Sequence, residues 1–342
     1  MKPAHFILLL LAGTLVILYN IFKPFLLAIL VAFLLTIATG SIHTALDRKI
    51  KDNTLLSSLM TLSMAILFMA PFFYIVLKVG TYINLVDKTQ ILAFFDYIKN
   101  WVETLPNDFN LVKESILNAI DKADIPALLQ KALSIGASFG KNSMNFFFNM
   151  VMILVFYFIF NYYAKPIGAY FKSILPLKAE DSESVFYEIT NVTSVVFYSI
   201  IVTAIFEGFL FGIFVQFFGY DGIMFGILYG FASLIPVIGG VIMWLPLFAY
   251  EAFLGDVSNG IAIVLYTIVV ISFFADTIVK PIIIKYINKK VVSRPTNVNE
   301  LLIFFSIFAG LSTLGFWGMI IGPVSVAFCI SILRLLKQYN NQ

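Results

Sequence analysis

The sequence predicts an all-α polytopic membrane protein: about six full transmembrane helices, two re-entrant helical hairpins in inverted repeat, and an extracytoplasmic amphipathic helical insert. Three observations carry that prediction. The chain of 342 residues is 61% hydrophobic and 12% charged, whereas a soluble domain carries roughly 25% charge. Its apolar stretches are long and continuous, so they cross as helices rather than as the alternating strands of a barrel. Two of them are broken by clustered Gly and Pro, and lysines and arginines gather in the short loops between.

Residues 4–22 and 24–43 read as two spans separated at Lys23-Pro24. Because a second apolar run follows at once, the N-terminus reads as an uncleaved span rather than a signal peptide. Residues 55–78 form the next span. Residues 83–141 differ in kind: they carry Asp87, Asp96, Glu103, Lys113, Asp121, Asp124 and other charges, with Ile91, Phe94, Phe95, Ile98 and Val102 at helical spacing. That pattern predicts two or three amphipathic helices outside the bilayer or on its surface. A span at 143–163 follows. Residues 165–192 are polar, with Pro166, Pro176 and a helix-start cluster at Glu180-Asp181-Ser182-Glu183. Then come a span at 193–218, a broken region at 221–250, a span at 257–279 and a second broken region at 300–336. The chain divides accordingly into 1–82, 83–141, 142–192, 193–256 and 257–342.

Orientation follows from positive charge, which is concentrated in short cytoplasmic loops. Arg48, Lys49 and Lys51 form one such loop; Lys165, Lys172 and Lys178 a second; Lys280, Lys285, Lys289, Lys290 and Arg294 a third; Arg334 and Lys337 lie in the tail. All of them fall inside only if 221–250 and 300–336 each enter the membrane and return to the same side. Their composition agrees. The first contains Ser233, Pro236, Gly239, Gly240 and Pro246; the second contains Gly310, Ser312, Thr313, Gly315, Gly318 and Pro323. A proline inside a helix costs roughly 3 kcal/mol, and broken backbone at membrane depth persists only where protein or a wet cavity covers it. A span followed by a broken region occurs twice, in opposite orientation, which is the pattern of a transporter's inverted repeat.

Ionisable residues at membrane depth are costly and are candidate functional groups for that reason. Glu207 lies near the middle of span 193–218, and Gln216 near its outer end. Asp276 and Lys280 are four apart on one helix face, which suits an ion pair. Glu251 and Asp256 fall in a short outer connection and read as solvated. Cys329 reads as a small packing hydrophobe; alone in the sequence, it excludes an intrachain disulfide and a cysteine metal cluster. The sequence contains no HExxH or Walker A motif. No enzyme, cofactor or metal is therefore predicted, and any transport is secondary or facilitated. A basic stripe interleaved with aromatics is also missing, which argues against nucleic-acid binding.

The run F-E-G-F-L-F-G-I-F-V-Q-F-F-G-Y-D-G-I-M-F-G-I-L-Y-G-F-A-S-L-I-P-V-I-G-G-V-I-M-W-L-P resembles the AI-2E (autoinducer-2 exporter) family of bacterial membrane proteins. So does D-T-I-V-K-P at 276–281, followed by G-L-S-T-L-G-F-W-G-M-I-I-G-P-V. The resemblance implies a multi-pass protein of the bacterial inner membrane that forms homopentamers. It implies export of a small polar solute such as autoinducer-2, held by two hairpins that move as an elevator. Some relatives are described as sodium/proton antiporters. Glu207 stands where many relatives are expected to have Gln, which favours proton or cation coupling.

Three functional readings follow. The first is a secondary exporter of a small polar solute, with substrate met by Ser233, Pro236, Gly239, Gly240, Ser312, Thr313 and Gly315 at the hairpin tips and by Glu207, Gln216 and Asp276. The second is a cation/proton antiporter with Glu207 or Asp276 as the exchanging carboxylate. The third is a non-transporting membrane scaffold that works through the 83–141 insert.

Overall fold

A computed structural model describes residues 3–83, 88–104, 106, 110–122, 144, 146–174, 179–235, 238–291 and 300–340. Pro236, Arg294 and all of 123–141 lie outside the described residues. Among the described residues every regular element is helical. Five runs are long and apolar enough to cross a membrane: His5–Ala38, Asn53–Lys78, Thr193–Gln216, Val257–Ile283 and Phe304–Ile330. The bent pair Phe146–Tyr162 and Ala164–Tyr170 adds a sixth if counted as one span.

The chain forms two compact units. The first holds Met1–Leu67, Asn145–Phe197 and Arg294–Gln342; the second holds Phe68–Met144 and Tyr198–Ser293.

In the first unit, α1 (Pro3–Phe22) and α2 (Leu26–Ala38) are joined by a single 3-10 turn at Lys23–Phe25. They make one continuous apolar helix over 5–38, not the two spans expected at 4–22 and 24–43. Pro24 sits in the first positions of the 3-10 turn, where its missing N–H breaks nothing, so the helix passes through. A short α3 (Gly40–Asp47) leads to α4 (Asn53–Ile83), whose first part belongs here. The next helix, α7 (Phe146–Tyr162), bends by 74° into the amphipathic α8 (Ala164–Ile174). The Tyr157 hydroxyl and Thr39 Oγ1 share a hydrogen bond of 2.8 Å, and Ser194 Oγ donates to the Ala38 carbonyl at 2.9 Å. Thr39, Tyr157 and Ser194 are all at most 1% exposed, and such bonds hold helices together where apolar contact alone does not distinguish protein from lipid.

The last helices of this unit, α14 (Glu300–Leu314) and α15 (Gly318–Asn340), fold back on each other through a 3-10 turn at Gly315–Trp317. Gly315 takes φ +62°, which a side chain would strain. A methyl group on Gly310 would collide with the Gly318 carbonyl, and one on Gly322 with that of Ser306. The two backbones therefore touch along an antiparallel seam. Cys329 lies exposed on α15, on its outer face rather than in the packing expected for it.

The second unit begins with the end of α4 and two amphipathic helices, α5 (Lys88–Glu103) and α6 (Asn110–Lys122). The helix α9 (Ala179–Gln216) enters it from the first unit. A turn at Gly219, with φ +84°, leads into α10 (Gly222–Ala232). After residues 233–237 the chain continues as α11 (Ile238–Leu254), turns at Gly255, and runs through α12 (Val257–Tyr266). A π-helical segment over Thr267–Val279 and α13 (Lys280–Val291) complete the unit. Pro246 lies inside α11 and does not break it. Gly239 and Gly240 have ordinary φ values and open α11.

Glycine contact fixes how these helices meet. Gly208 and Gly212 on α9 lie against Gly222 and Gly226 on α10, and Gly230 lies against Ala204. The pairs run in opposite directions along the two helices, so α9 and α10 are antiparallel with their backbones in contact. Phe211, Val215, Tyr229, Leu247, Ile263 and Ile271 form a buried core that joins α9, α10, α11 and the helix after it. The outward faces stay apolar: Phe209 and Phe217 are 63% and 80% exposed, as helices facing lipid should be.

Candidate functional site

Glu207 lies in the second unit near the middle of its apolar run and is only 3% exposed. Placing a charge at such depth costs about 3 kcal/mol or more, so its surroundings matter. Three elements supply them. Asp276, in the π-helical segment, faces the Glu207 carboxyl, and so does the Ser233 hydroxyl from the end of α10. Lys280 Nζ lies 4.0 Å from Glu207 Oε1 and donates to Asp276 Oδ1 at 3.0 Å. Two carboxyl groups thus share one lysine. Glu207 Oε1 has no hydrogen-bond partner among the described residues.

Local structure explains why these groups converge. The glycine seam lets α10 lie directly on α9, bringing the C-terminal end of α10 beside the Glu207 face. Ser233 is the C-cap of α10, and its Oγ also donates to the Gly230 carbonyl at 3.1 Å. The π-helix carries Asp276 and ends where the Lys280 N–H reaches back five residues to the Ala275 carbonyl. Runs of this geometry are rare and occur often at functional positions. Tyr229, 2% exposed, stacks on Phe211 at 4.4 Å and lies within electrostatic reach of Glu207 and Asp276. A Cβ on Gly240 would stand 3.2 Å from the Tyr229 hydroxyl and 3.9 Å from Ser272 Oγ. The start of α11 therefore borders the same polar cluster. Gly239 allows the turn itself, since a methyl group there would strike the Ala232 carbonyl.

The residues singled out in the sequence thus separate into groups. Glu207, Ser233, Gly240 and Asp276 come together, and Gly239 shapes the turn beside them. Pro236 lies outside the described residues. Gln216 is exposed and lies against Gly222, nine residues and about 13 Å along α9 from Glu207. Ser312, Thr313 and Gly315 belong to the first unit. There Ser312 Oγ and Thr313 Oγ1 donate to the Ala309 carbonyl of their own helix, at 2.9 and 2.8 Å. Tyr229 and Ser272 were not legible as site residues, because aromatic and small polar residues inside apolar runs are common.

The outer end of the same helices holds further polar groups. Asp221 caps α10, accepting from the Met224 N–H at 3.0 Å. It also accepts from the Tyr74 hydroxyl at 3.1 Å and pairs with Lys78 at 2.5 Å. Glu251, expected to be solvated, is 4% exposed. It accepts from the Tyr220 hydroxyl at 2.5 Å and from Asn259 Nδ2 at 3.2 Å. Helix packing accounts for the difference: α11 and α12 lie close enough for Gly260 to sit against the Phe248 carbonyl, which encloses the Glu251 side chain.

Comparison with known proteins agrees with this architecture. A family model described as "AI-2E family transporter" matches residues 5–338. Two relatives come from Helicobacter pylori and one from Aquifex aeolicus, each named "Putative transport protein". The protein of H. pylori strain J99 is 33% identical over 340 residues, covering 99% of this chain and 97% of its own. That of strain 26695 is 33% identical over 319 residues, covering 93% and 91%. The A. aeolicus protein is 23% identical over 322 residues, covering 86% and 85%. No solved structure matches the chain. With a family match over nearly its whole length and a polar cluster enclosed by apolar helices, the chain belongs to the AI-2E family of membrane transporters.

Proposed function

We propose that the protein is a secondary transporter that exports a small polar solute of the autoinducer-2 type. The tip of the α10–α11 pair and the Glu207 cluster form its substrate site. One observation carries this reading: a 97%-buried carboxylate, one oxygen of which lacks a hydrogen-bond partner among the described residues, lies beside Ser233, Asp276 and Lys280. Donors and acceptors gathered at depth match a solute with several hydroxyls, and buried polar groups left without partners are costly. The α10–α11 pair enters the membrane and returns. In support, the eleven residues of α10 rise about 16 Å, well short of the roughly 30 Å hydrocarbon core. The α14–α15 pair is its counterpart in an inverted repeat, with a second tip around Leu311–Gly318. The two tips move solute across by an elevator motion within a homopentamer of the bacterial inner membrane. Extracellular autoinducer-2 in cells with and without the gene tests the assignment. Unchanged external levels on deletion would sink it.

The pairing of two carboxyls with one lysine favours a second reading, sodium/proton antiport. Sodium-driven pH changes in everted vesicles that vanish in Glu207→Gln would support it. The scaffold reading is set aside because the family is one of transporters.

A further inference from the structure

A second, partly open space lies along the α10–α11 pair and reaches its other end, about eleven residues and ~16 Å along α10 from Ser233. It is a cleft of about 680 Å³ between the start of α10 and the length of α11 from Ile242 to Leu254, within the size range of small-molecule sites. Phe218, Tyr220, Phe225, Met243, Tyr250 and Glu251 are among its lining residues. The wall is thus largely aromatic and apolar, with two carboxylates, Asp221 and Glu251, set into it. Glu251 has two neutral hydrogen-bond donors, Tyr220 and Asn259, and no salt-bridge partner among the described residues. Each of its oxygens keeps a free lone pair. Asp221, in the same lining, is already occupied by Lys78, Tyr74 and its own helix cap. A carboxylate removed from water without a counter-charge is costly. A cation that binds there recovers that cost, and the rings add cation–π attraction of about 0.5–2 kcal/mol.

We propose that this cavity binds an ammonium group carried on an apolar body, with the ammonium on Glu251 and the body against Phe218, Phe225 and Met243. The polar residues Lys78, Asp221 and Glu251 mark this end as the lipid–water boundary. The ammonium has two possible sources, a free amine or the headgroup of phosphatidylethanolamine. The site is independent of the Glu207 cluster.

Thermal unfolding of the purified full chain in detergent tests this. Hexylammonium and hexyltrimethylammonium raise the melting temperature saturably, whereas hexanol and hexanoate do not. In Glu251→Gln the half-saturating concentration rises about tenfold or more, the loss of a charge-assisted contact. Ile242→Trp, a lining position that is 48% exposed, fills the mouth and abolishes the shift without touching the charge, even if Glu251→Gln folds poorly. Competition by short-chain phosphatidylethanolamine but not phosphatidylglycerol identifies the lipid as the source; no competition by either identifies a free amine. An equal shift with hexanol, a shift retained in both variants, or no saturable shift with either amine overturns the proposal.

Discussion

Glu207 is in contact with a positive charge, a second acid and a hydroxyl, and each can be changed separately. Glu207→Gln keeps the shape and hydrogen bonding while removing the charge. Under the proposed exporter function, transport is expected to fall about tenfold or more, the size of a lost charge-assisted contact at a buried site, as read by solute efflux from loaded vesicles. Wild-type efflux in that variant would mean that the carboxylate is not part of the site. Lys280→Met leaves Glu207 and Asp276 facing each other without a cation, and should impair efflux at neutral pH more than Asp276→Asn does. Asp221 gives a stability prediction instead. Asp221→Ala removes a helix cap and the partner of Lys78, a loss of about 1–2 kcal/mol, which lowers the melting temperature by a few degrees. Asp221→Asn should recover part of that loss, because the amide oxygen still caps the helix.

At the scale of elements, glycine contact is what lets helices in this chain approach closely. Gly226→Val places a branched side chain on the Gly208 carbonyl, where only backbone can shift. A loss of several kcal/mol is expected, at the upper end of single substitutions, measured as reduced yield and melting temperature. Gly13→Ala is the control: nothing lies within 4 Å of a Cβ there, so the variant should behave as wild type. Gly219→Ala is intermediate, since space is open but φ is +84°, at about 1–2 kcal/mol. The helix α5 is tied to the end of α11 by Phe94 and Tyr97, whose rings meet Phe253 edge-on at 5.6 and 5.8 Å. Phe253→Ala should therefore increase amide exchange in α5 while leaving the Glu207 cluster protected.

At the scale of the molecule, the decisive property is where each loop lies relative to the membrane. In the second unit α9 and α10 are antiparallel, and the chain then runs out along α11 and back along α12 and α13. If α10 and α11 enter and return on one side, residues 252–258 face outside and 285–291 face the cytoplasm. Reporter fusions at those two places check this directly. An external signal at 285–291 would remove the re-entrant pair and the inverted repeat together. In the first unit α1 passes into α2 as one apolar helix where two spans were expected, a run suited to a single crossing. A reporter at residue 23 should then be shielded at membrane depth rather than exposed in a loop.

The sequence by itself determined the class of this protein, because 61% apolar content in long runs leaves helices in a membrane as the workable solution. It also located Glu207 and Asp276, since an acid in an apolar run is visible without coordinates. Clustered glycines pointed to where helices turn or touch, as at Gly315 and Gly226. It misjudged Pro24 and Pro246, because whether a proline breaks a helix depends on which turn it occupies. It took Glu251 for a solvated residue because burial depends on partners distant in the chain, here Tyr220 and Asn259. Only the tertiary structure decided that Ser233, Glu207, Asp276 and Lys280 share one cluster. Sequence spacing fixes contacts within a helix, but contacts between helices depend on packing register, and here backbone contact at glycines sets that register.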